Sequence, residues 1–270
     1  KHLEVNNQSI SYEIESISQL LLWFIKNINN YSLFVLHGVW SFIYIISSLL
    51  CLISKRPFCF HPHGSLDPFD INKRKKIFKW FIGYVLYRKI FSNSSGIIFT
   101  SILESNRSKT YSKNVDKYVA KLTSPNKTDN KELDHNNIVQ IKKKYSLNEE
   151  KKVLLFLSRI DEKKGLDVLL EALFLINKKK KSVALLIAGC GNKKYMIYIA
   201  NLVEKLKLAE DIRYLGHVSG SEKSDIMKIS DLFVLPTLNE NFGIAIVEAL
   251  QNNLPVLGIK TETDIFVPKK

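Results

Sequence analysis

The 270-residue sequence is short of cysteine and short of acid. Its three cysteines, Cys51, Cys59 and Cys190, are odd in number, widely spaced and set in apolar or loop contexts. That pattern suggests neither a disulfide framework nor a zinc knuckle and best fits a reducing compartment. Only 26 Asp and Glu stand against 40 Lys and Arg, a formal net charge of +14. The imbalance calls for an anionic partner, whether nucleic acid, a phospholipid surface or a phosphorylated substrate, without choosing among them. No secretory leader is recognisable, because the opening K-H-L-E-V-N-N-Q is polar and does not start with Met, as in a cut or a fragment. There is no internal repeat. The one long apolar run, Ser32 to Ile53, has the length of a bilayer span, but His37 and Gly38 interrupt it. It reads as a short strand at Leu33 to Leu36, a turn, and a buried helix from Trp40.

What is present is a chain with 46% hydrophobic and 11% aromatic residues, enough for a large core in one big domain or two smaller ones. From Val153 the pattern becomes regular. V-L-L-F-L-S reads as a buried strand, and Leu166, Leu169, Leu170, Leu173 and Phe174 follow at helical spacing. Further strands are predicted at Val183–Ala188, at I-R-Y-L, at D-L-F-V-L-P and at P-V-L-G, separated by helices at Lys193–Lys207, Ser221–Ser230 and Gly243–Asn252. Near-continuous apolar strands separated by helices imply a parallel sheet covered on both faces. The first half alternates more loosely, with helices predicted at Ile10–Ile28 and Lys73–Phe91 and strands at P-F-C-F-H and G-I-I-F-T. The polar stretch Thr123–Asn137 is the predicted linker. Two α/β domains, 1–137 and 138–270, are therefore expected to meet at a cleft.

The stretch P-T-L-N-E-N-F-G-I-A-I-V-E-A-L, Pro236 to Leu250, places Glu240 and Glu248 around a helix start at Gly243. At the carboxyl edge of a parallel sheet, such a start presents unpaired N–H groups to an anion. Two flanking carboxylates suit hydroxyls on both sides of a diphosphate, which describes a nucleotide sugar. S-R-I-D-E-K-K-G-L-D brings Arg159 and Lys164 to the same edge, where fixed cations can offset the charge of a diphosphate leaving group without a metal. Alternatives remain open: loop acids and a solvated ion pair on the one hand, and on the other an H-x-H metal pair, His61 and His63 with Asp67 and Asp70 nearby, as in a metal-dependent hydrolase. A-G-C-G-N-K-K-Y lacks the third glycine of a dinucleotide fingerprint, which argues against a dehydrogenase. Between Ile71 and Leu103 lie seven Lys or Arg and no acid, interleaved with Phe78, Trp80, Phe81, Tyr84, Tyr87 and Phe91. That helix suits an anionic leaflet or, more simply, a core helix with a solvated basic end. No nucleic-acid recognition motif accompanies it.

In order and spacing these motifs resemble the group 1 glycosyltransferases, the retaining family 4 enzymes of the GT-B fold. S-R-I-D-E-K-K-G-L-D-V-L-L-E-A is similar to the family's Lys-Gly turn, A-G-C-G to its glycine loop, R-Y-L-G-H-V-S to its base-binding strand, and E-N-F-G-I-A-I-V-E-A-L to its glutamate pair. H-G-V-W-S and H-P-H-G-S-L-D-P-F resemble motifs of the cell-surface polysaccharide branch. The resemblance implies two Rossmann-like doubly wound domains facing a cleft, the N-terminal one incomplete and the chain truncated at both ends. Arg159 and Lys164 would hold the diphosphate. The Phe242, Gly243 and Ile244 backbone would hold the sugar-proximal phosphate, beside the glycine loop at Gly189. Glu240 would bind sugar hydroxyls, Glu248 the ribose, Val218 and its neighbours the base, and His63 the donor sugar near the reacting carbon. It implies hexose transfer, with retention and without metal or other cofactor, from a UDP- or GDP-sugar to a lipid-linked glycan. The setting would be peripheral, on the cytoplasmic face of a bacterial membrane, in lipopolysaccharide or other surface polysaccharide synthesis. Truncation makes an inactive, nucleotide-sugar-binding remnant the alternative.

Overall fold

A computed structural model of the chain describes residues 2–5, 8–11, 16–73, 76–120, 134–179, 183–238, 240 and 243–258. Contacts divide the chain into two units, 1–121 and 122–270, so the division falls at the near end of the polar stretch and not at its far end. Each unit is α/β and is built on a Rossmann-like parallel sheet.

The first unit opens with β1 (His2–Val5) and β2 (Gln8–Ser11), an antiparallel pair in which Val5 faces Gln8 with only Asn6 and Asn7 between. The helix predicted from Ile10 therefore begins later, as α1 (Ile17–Asn27). Ser16 decides where: its Oγ accepts from the Gln19 N–H at 3.2 Å, and the Gln19 side chain accepts from the Ser16 N–H at 3.3 Å, a reciprocal cap that fixes the first turn. The unit continues through β3 (Phe34–His37), α2 (Phe42–Ile53), β4 (Phe58–His61), α3 (Pro68–Lys73) and α4 (Lys76–Ile82). A π-helical stretch (Gly83–Tyr87), α5 (Arg88–Ser92), β5 (Gly96–Phe99), α6 (Ile102–Arg107) and β6 (Lys117–Val119) complete it. The four strands β3-β4-β5-β6 lie side by side, all parallel. The long apolar run is thus a strand and a helix, and among the described residues no helix is long and apolar enough to cross a membrane.

The single helix predicted over 73–91 is interrupted by its π turn, which carries Tyr87 inward. Tyr87 is fully buried, and its hydroxyl donates to the Val39 carbonyl. Strand β6 escapes sequence reading because its three residues are exposed and carry no apolar alternation. The core is aromatic: Phe24, Phe34, Phe58, Phe60, Phe91 and Phe99 are all buried, with Phe60 and Phe91 edge to face at 5.0 Å.

The second unit starts with α7 (His135–Lys144), a helix that the sequence reading did not foresee. Ile138, Ile141 and Tyr145 recur along it at helical spacing against the core. Then follow β7 (Lys152–Leu157), α8 (Leu166–Lys178), β8 (Val183–Ala188), α9 (Lys193–Lys205) and β9 (Ile212–Gly216). The last elements are α10 (Gly220–Lys228), β10 (Leu232–Leu235), α11 (Ile244–Gln251) and β11 (Val256–Gly258). The sheet order is β11-β10-β7-β8-β9, all parallel, so the winding direction reverses between β7 and β10. Its core is mainly aliphatic. Leu155, Leu166, Leu170, Leu173, Leu185 and Leu186 are fully buried, each burial stabilising by about 1.5–3 kcal/mol.

Candidate functional site

Where two adjacent parallel strands carry the chain in opposite directions, the loops leaving their carboxyl ends diverge and leave a crevice. In the second unit those strands are β7 and β10. Their loops hold the two motifs that the sequence analysis singled out, Ser158–Gly165 and Pro236–Gly243. The loops are joined backbone to backbone. The Leu238 N–H donates to the Lys163 carbonyl at 2.8 Å, and the Thr237 hydroxyl donates to the same oxygen at 3.1 Å. Such closeness needs a residue without a side chain: Gly165 lies at φ 67°, and a Cβ there would overlap the Pro236 carbonyl. Asp161 organises the turn before it, accepting from the Lys163 N–H at 3.1 Å.

This arrangement brings Lys164 and Glu240 into an ion pair, with Lys164 buried. Gly243, at φ 71°, is the N-cap of α11 and has no capping side chain. The N-cap residue itself therefore offers nothing to the first N–H groups of the helix, where the positive end of the helix dipole lies. A Cβ on Gly243 would stand 3.4 Å from the Glu240 Cγ, so the helix start and the carboxylate are neighbours. Ile244, the first residue of the helix, is exposed, and Phe242 lies outside the described residues. Arg159 is exposed beside the glycine loop. There the Ile160 N–H donates to the Cys190 carbonyl at 2.9 Å, and a Cβ on Gly189 would overlap the Ser158 carbonyl. The Val218 side chain is buried in the hydrophobic core, which leaves only its backbone for a ligand. Glu248 is held by Lys223 of α10 at 2.5 Å. Lys223 was not foreseen; it lies 25 residues from Glu248, and no local pattern links the two.

His63 belongs to the first unit, at the same kind of place, beyond a strand's carboxyl end. His37 and His61 end β3 and β4 directly opposite one another in the parallel register. Two residues on, His63 adopts φ 49° and Gly64 φ 78°, turning the chain back so that the His63 ring stacks on His61 at 3.9 Å. A left-handed histidine costs about 1–2 kcal/mol and persists only where its surroundings enforce it. The enforcing group is Glu104. Buried in the first turn of α6, it accepts from the Gly64 N–H at 2.6 Å, the Thr100 N–H at 2.7 Å and the Thr100 hydroxyl at 2.6 Å. Trp40 donates to the Ser65 carbonyl at 2.6 Å, and Arg107 pairs with buried Asp67 at 3.5 Å. Burial, with His63 and His37 adding to it, holds the His61 imidazole down at about 4, so it is neutral at pH 7.

Sequence reasoning missed two members of this cluster. His37 was visible as the end of an apolar strand whose neighbour ends in His61, and Glu104 as the last residue of a Ser101-x-x-Glu helix start. Neither signal says which loop the side chain will meet.

Residues 137–263 match the model of the family described as glycosyl transferases group 1. The phosphatidyl-myo-inositol mannosyltransferase of Mycobacterium leprae is 37% identical over 117 residues, 43% of this chain and 29% of that protein. The alpha-monoglucosyldiacylglycerol synthase of Streptococcus pneumoniae is 26% identical over 126 residues, 47% of this chain and 28% of that protein. The chain thus matches under a third of the length of these curated relatives. Among solved structures, Anabaena HepE in complex with UDP and glucose superposes with a TM-score of 0.74 at 18% identity, over 90% of this chain and 63% of that one. At that identity the likeness is one of fold.

Proposed function

We propose that the chain, whose residues 137–263 match the group 1 glycosyl transferases, transfers a hexose from a nucleotide-diphosphate sugar to a lipid-linked glycan, with retention at the anomeric carbon. The observation that carries this reading is the Lys164–Glu240 pair set beside the uncapped start of α11, where the winding of the sheet reverses. An arriving diphosphate takes Lys164 from Glu240, and the freed carboxylate accepts from sugar hydroxyls. Arg159 adds the second cation. The amides of Phe242, Gly243 and Ile244 receive the sugar-proximal phosphate, and the backbone around Gly189 and Val218 borders the nucleoside. Glu248 exchanges Lys223 for the ribose. No side chain serves as nucleophile: the C–O bond to the phosphate breaks, the acceptor oxygen bonds to the anomeric carbon from the same face, and the departing phosphate oxygen takes the acceptor's proton. Lys and Arg offset the leaving charge, so transfer needs no metal. His63 is the first unit's candidate for the donor sugar.

The lipid side of the reading is supported by α4 and the π turn. Phe78, Trp80, Phe81, Tyr84 and Val85 are each 46–59% exposed, alongside exposed Arg88 and Lys89. Rings and cations in that mixture suit an anionic interface. Beside them lies a largely apolar cavity of about 540 Å³ lined by Trp40, Phe42, Ile45, Phe78, Ile82 and Tyr87 among others. The names of the two relatives also place their reactions on lipids. A peripheral position on the inner face of the membrane follows from this reading.

The test is thermal stabilisation by UDP-, GDP- and ADP-sugars, followed by transfer with a chelator present. A donor at 100 times its Kd should stabilise by about 2.7 kcal/mol. Lys164→Ala should lower transfer by a factor of about 10² to 10³. Stabilisation without transfer or donor hydrolysis would instead identify a nucleotide-sugar-binding remnant, and absence of stabilisation by any donor would refute both readings.

A further inference from the structure

We propose that His37, His61 and His63 form a binding site for a borderline divalent transition metal of the zinc class, with the fourth coordination position left to water. The one-dimensional pattern offers only the H-x-H pair; parallel strand register supplies the third imidazole. Nδ1 of His37 lies 2.9 Å from Nε2 of His63, and one ligand nitrogen from each of the three rings falls within 4.8 Å of the others. Two imidazole nitrogens on a tetrahedral zinc stand about 3.3 Å apart, at Zn–N distances of about 2.0–2.1 Å. The His37–His63 pair, hydrogen-bonded in the absence of an ion, is already close to that spacing, and binding would draw the third nitrogen in from within 4.8 Å.

A second, independent observation points the same way. His61 is 7% exposed, and its Nε2 is buried with no hydrogen-bond partner among the described residues. Buried polar atoms without partners are rare and call for an explanation. A coordinated cation supplies one. The surroundings hold the rings for it: Glu104 grips the Gly64 amide that keeps His63 in its left-handed turn, so the cluster is preorganised. Asp67 is engaged by Arg107, and the three-ligand set is wholly nitrogen. Imidazole sets favour zinc, copper or nickel over magnesium or calcium. Three protein ligands and an open position also distinguish this from a closed structural zinc site.

The inference rests on residues of the first unit alone, and metal binding is read without a donor sugar, so its failure is distinguishable from failure of the transferase reading even though both readings use His63. It is tested on the full chain by calorimetric titration with Zn²⁺ and by the visible ligand-field bands of Co²⁺. The wild type should bind one equivalent with tetrahedral Co²⁺ bands. His37→Gln, at an exposed position, should weaken Zn²⁺ at least tenfold and abolish the bands, and His61→Gln should do the same. His217→Gln, an exposed histidine of the second unit, should bind as the wild type does. Should His61→Gln fail to fold, His37→Gln decides alone. No saturable binding by the wild type, or unchanged binding by His37→Gln, would overturn the proposal.

Discussion

The two units place their polar clusters at the same architectural position, the carboxyl edge of a parallel sheet, and fill it with opposite chemistry. In the second unit a cation and a carboxylate, Lys164 and Glu240, satisfy one another, as do Lys223 and Glu248. In the first unit three like groups, His37, His61 and His63, crowd together, and one buried nitrogen is left over. Opposite charges make a site that is satisfied when empty, which under the proposed function an anion would open by exchanging partners. Two of the imidazoles, His37 and His63, share a hydrogen bond, which leaves the buried Nε2 of His61 as the unresolved group. The means of support differ as well. The second unit locks its loops backbone to backbone through Lys163, Pro236 and Gly165, whereas the first holds its loop largely through side chains, Glu104, Trp40 and Arg107.

Substitutions can break that contrast, and the largest effect should come from Gly165→Ala. It forces a Cβ into the Pro236 carbonyl at a left-handed position, and the second unit should lose about 3 kcal/mol or more in denaturant unfolding. A loss below about 1 kcal/mol would mean that the two loops are not locked as described. In the first unit Glu104→Ala strips partners from the Gly64 and Thr100 amides and should cost about 2 kcal/mol. Glu104→Gln, which keeps the acceptor oxygen, should recover part of it, and equal losses from the two would deny the carboxylate its supporting role. Smallest in stability is Trp80→Ser, at a half-exposed position, within about 0.5 kcal/mol of wild type. The same variant should nevertheless sediment less with anionic vesicles, and undiminished sedimentation would separate the aromatic face from membrane binding.

The units also differ in how much of them could be read in one dimension. In the second, each predicted strand and helix from Val153 onward lies within a few residues of its place, because buried parallel strands are local apolar runs and their helices repeat at a local spacing. In the first, a capping box moved a helix start to Ile17, a π turn broke a long helix at Gly83, and an exposed strand at Lys117–Val119 carried no pattern. Those features depend on single side-chain contacts or on neighbours remote in sequence, as with Tyr87 reaching Val39 across 48 positions.

The sequence by itself determined the alternation of strands and helices in the second unit, the basic character of the chain, and where its candidate motifs stand, since all of these are properties of neighbouring residues. Tertiary structure alone decided that the sheet reverses between β7 and β10, that Lys164 meets Glu240 across 76 positions, that Lys223 meets Glu248, and that His37 joins His61 and His63. Strand order and register are set by packing summed over a whole sheet, so a residue's chemical partner is fixed only when distant segments come together.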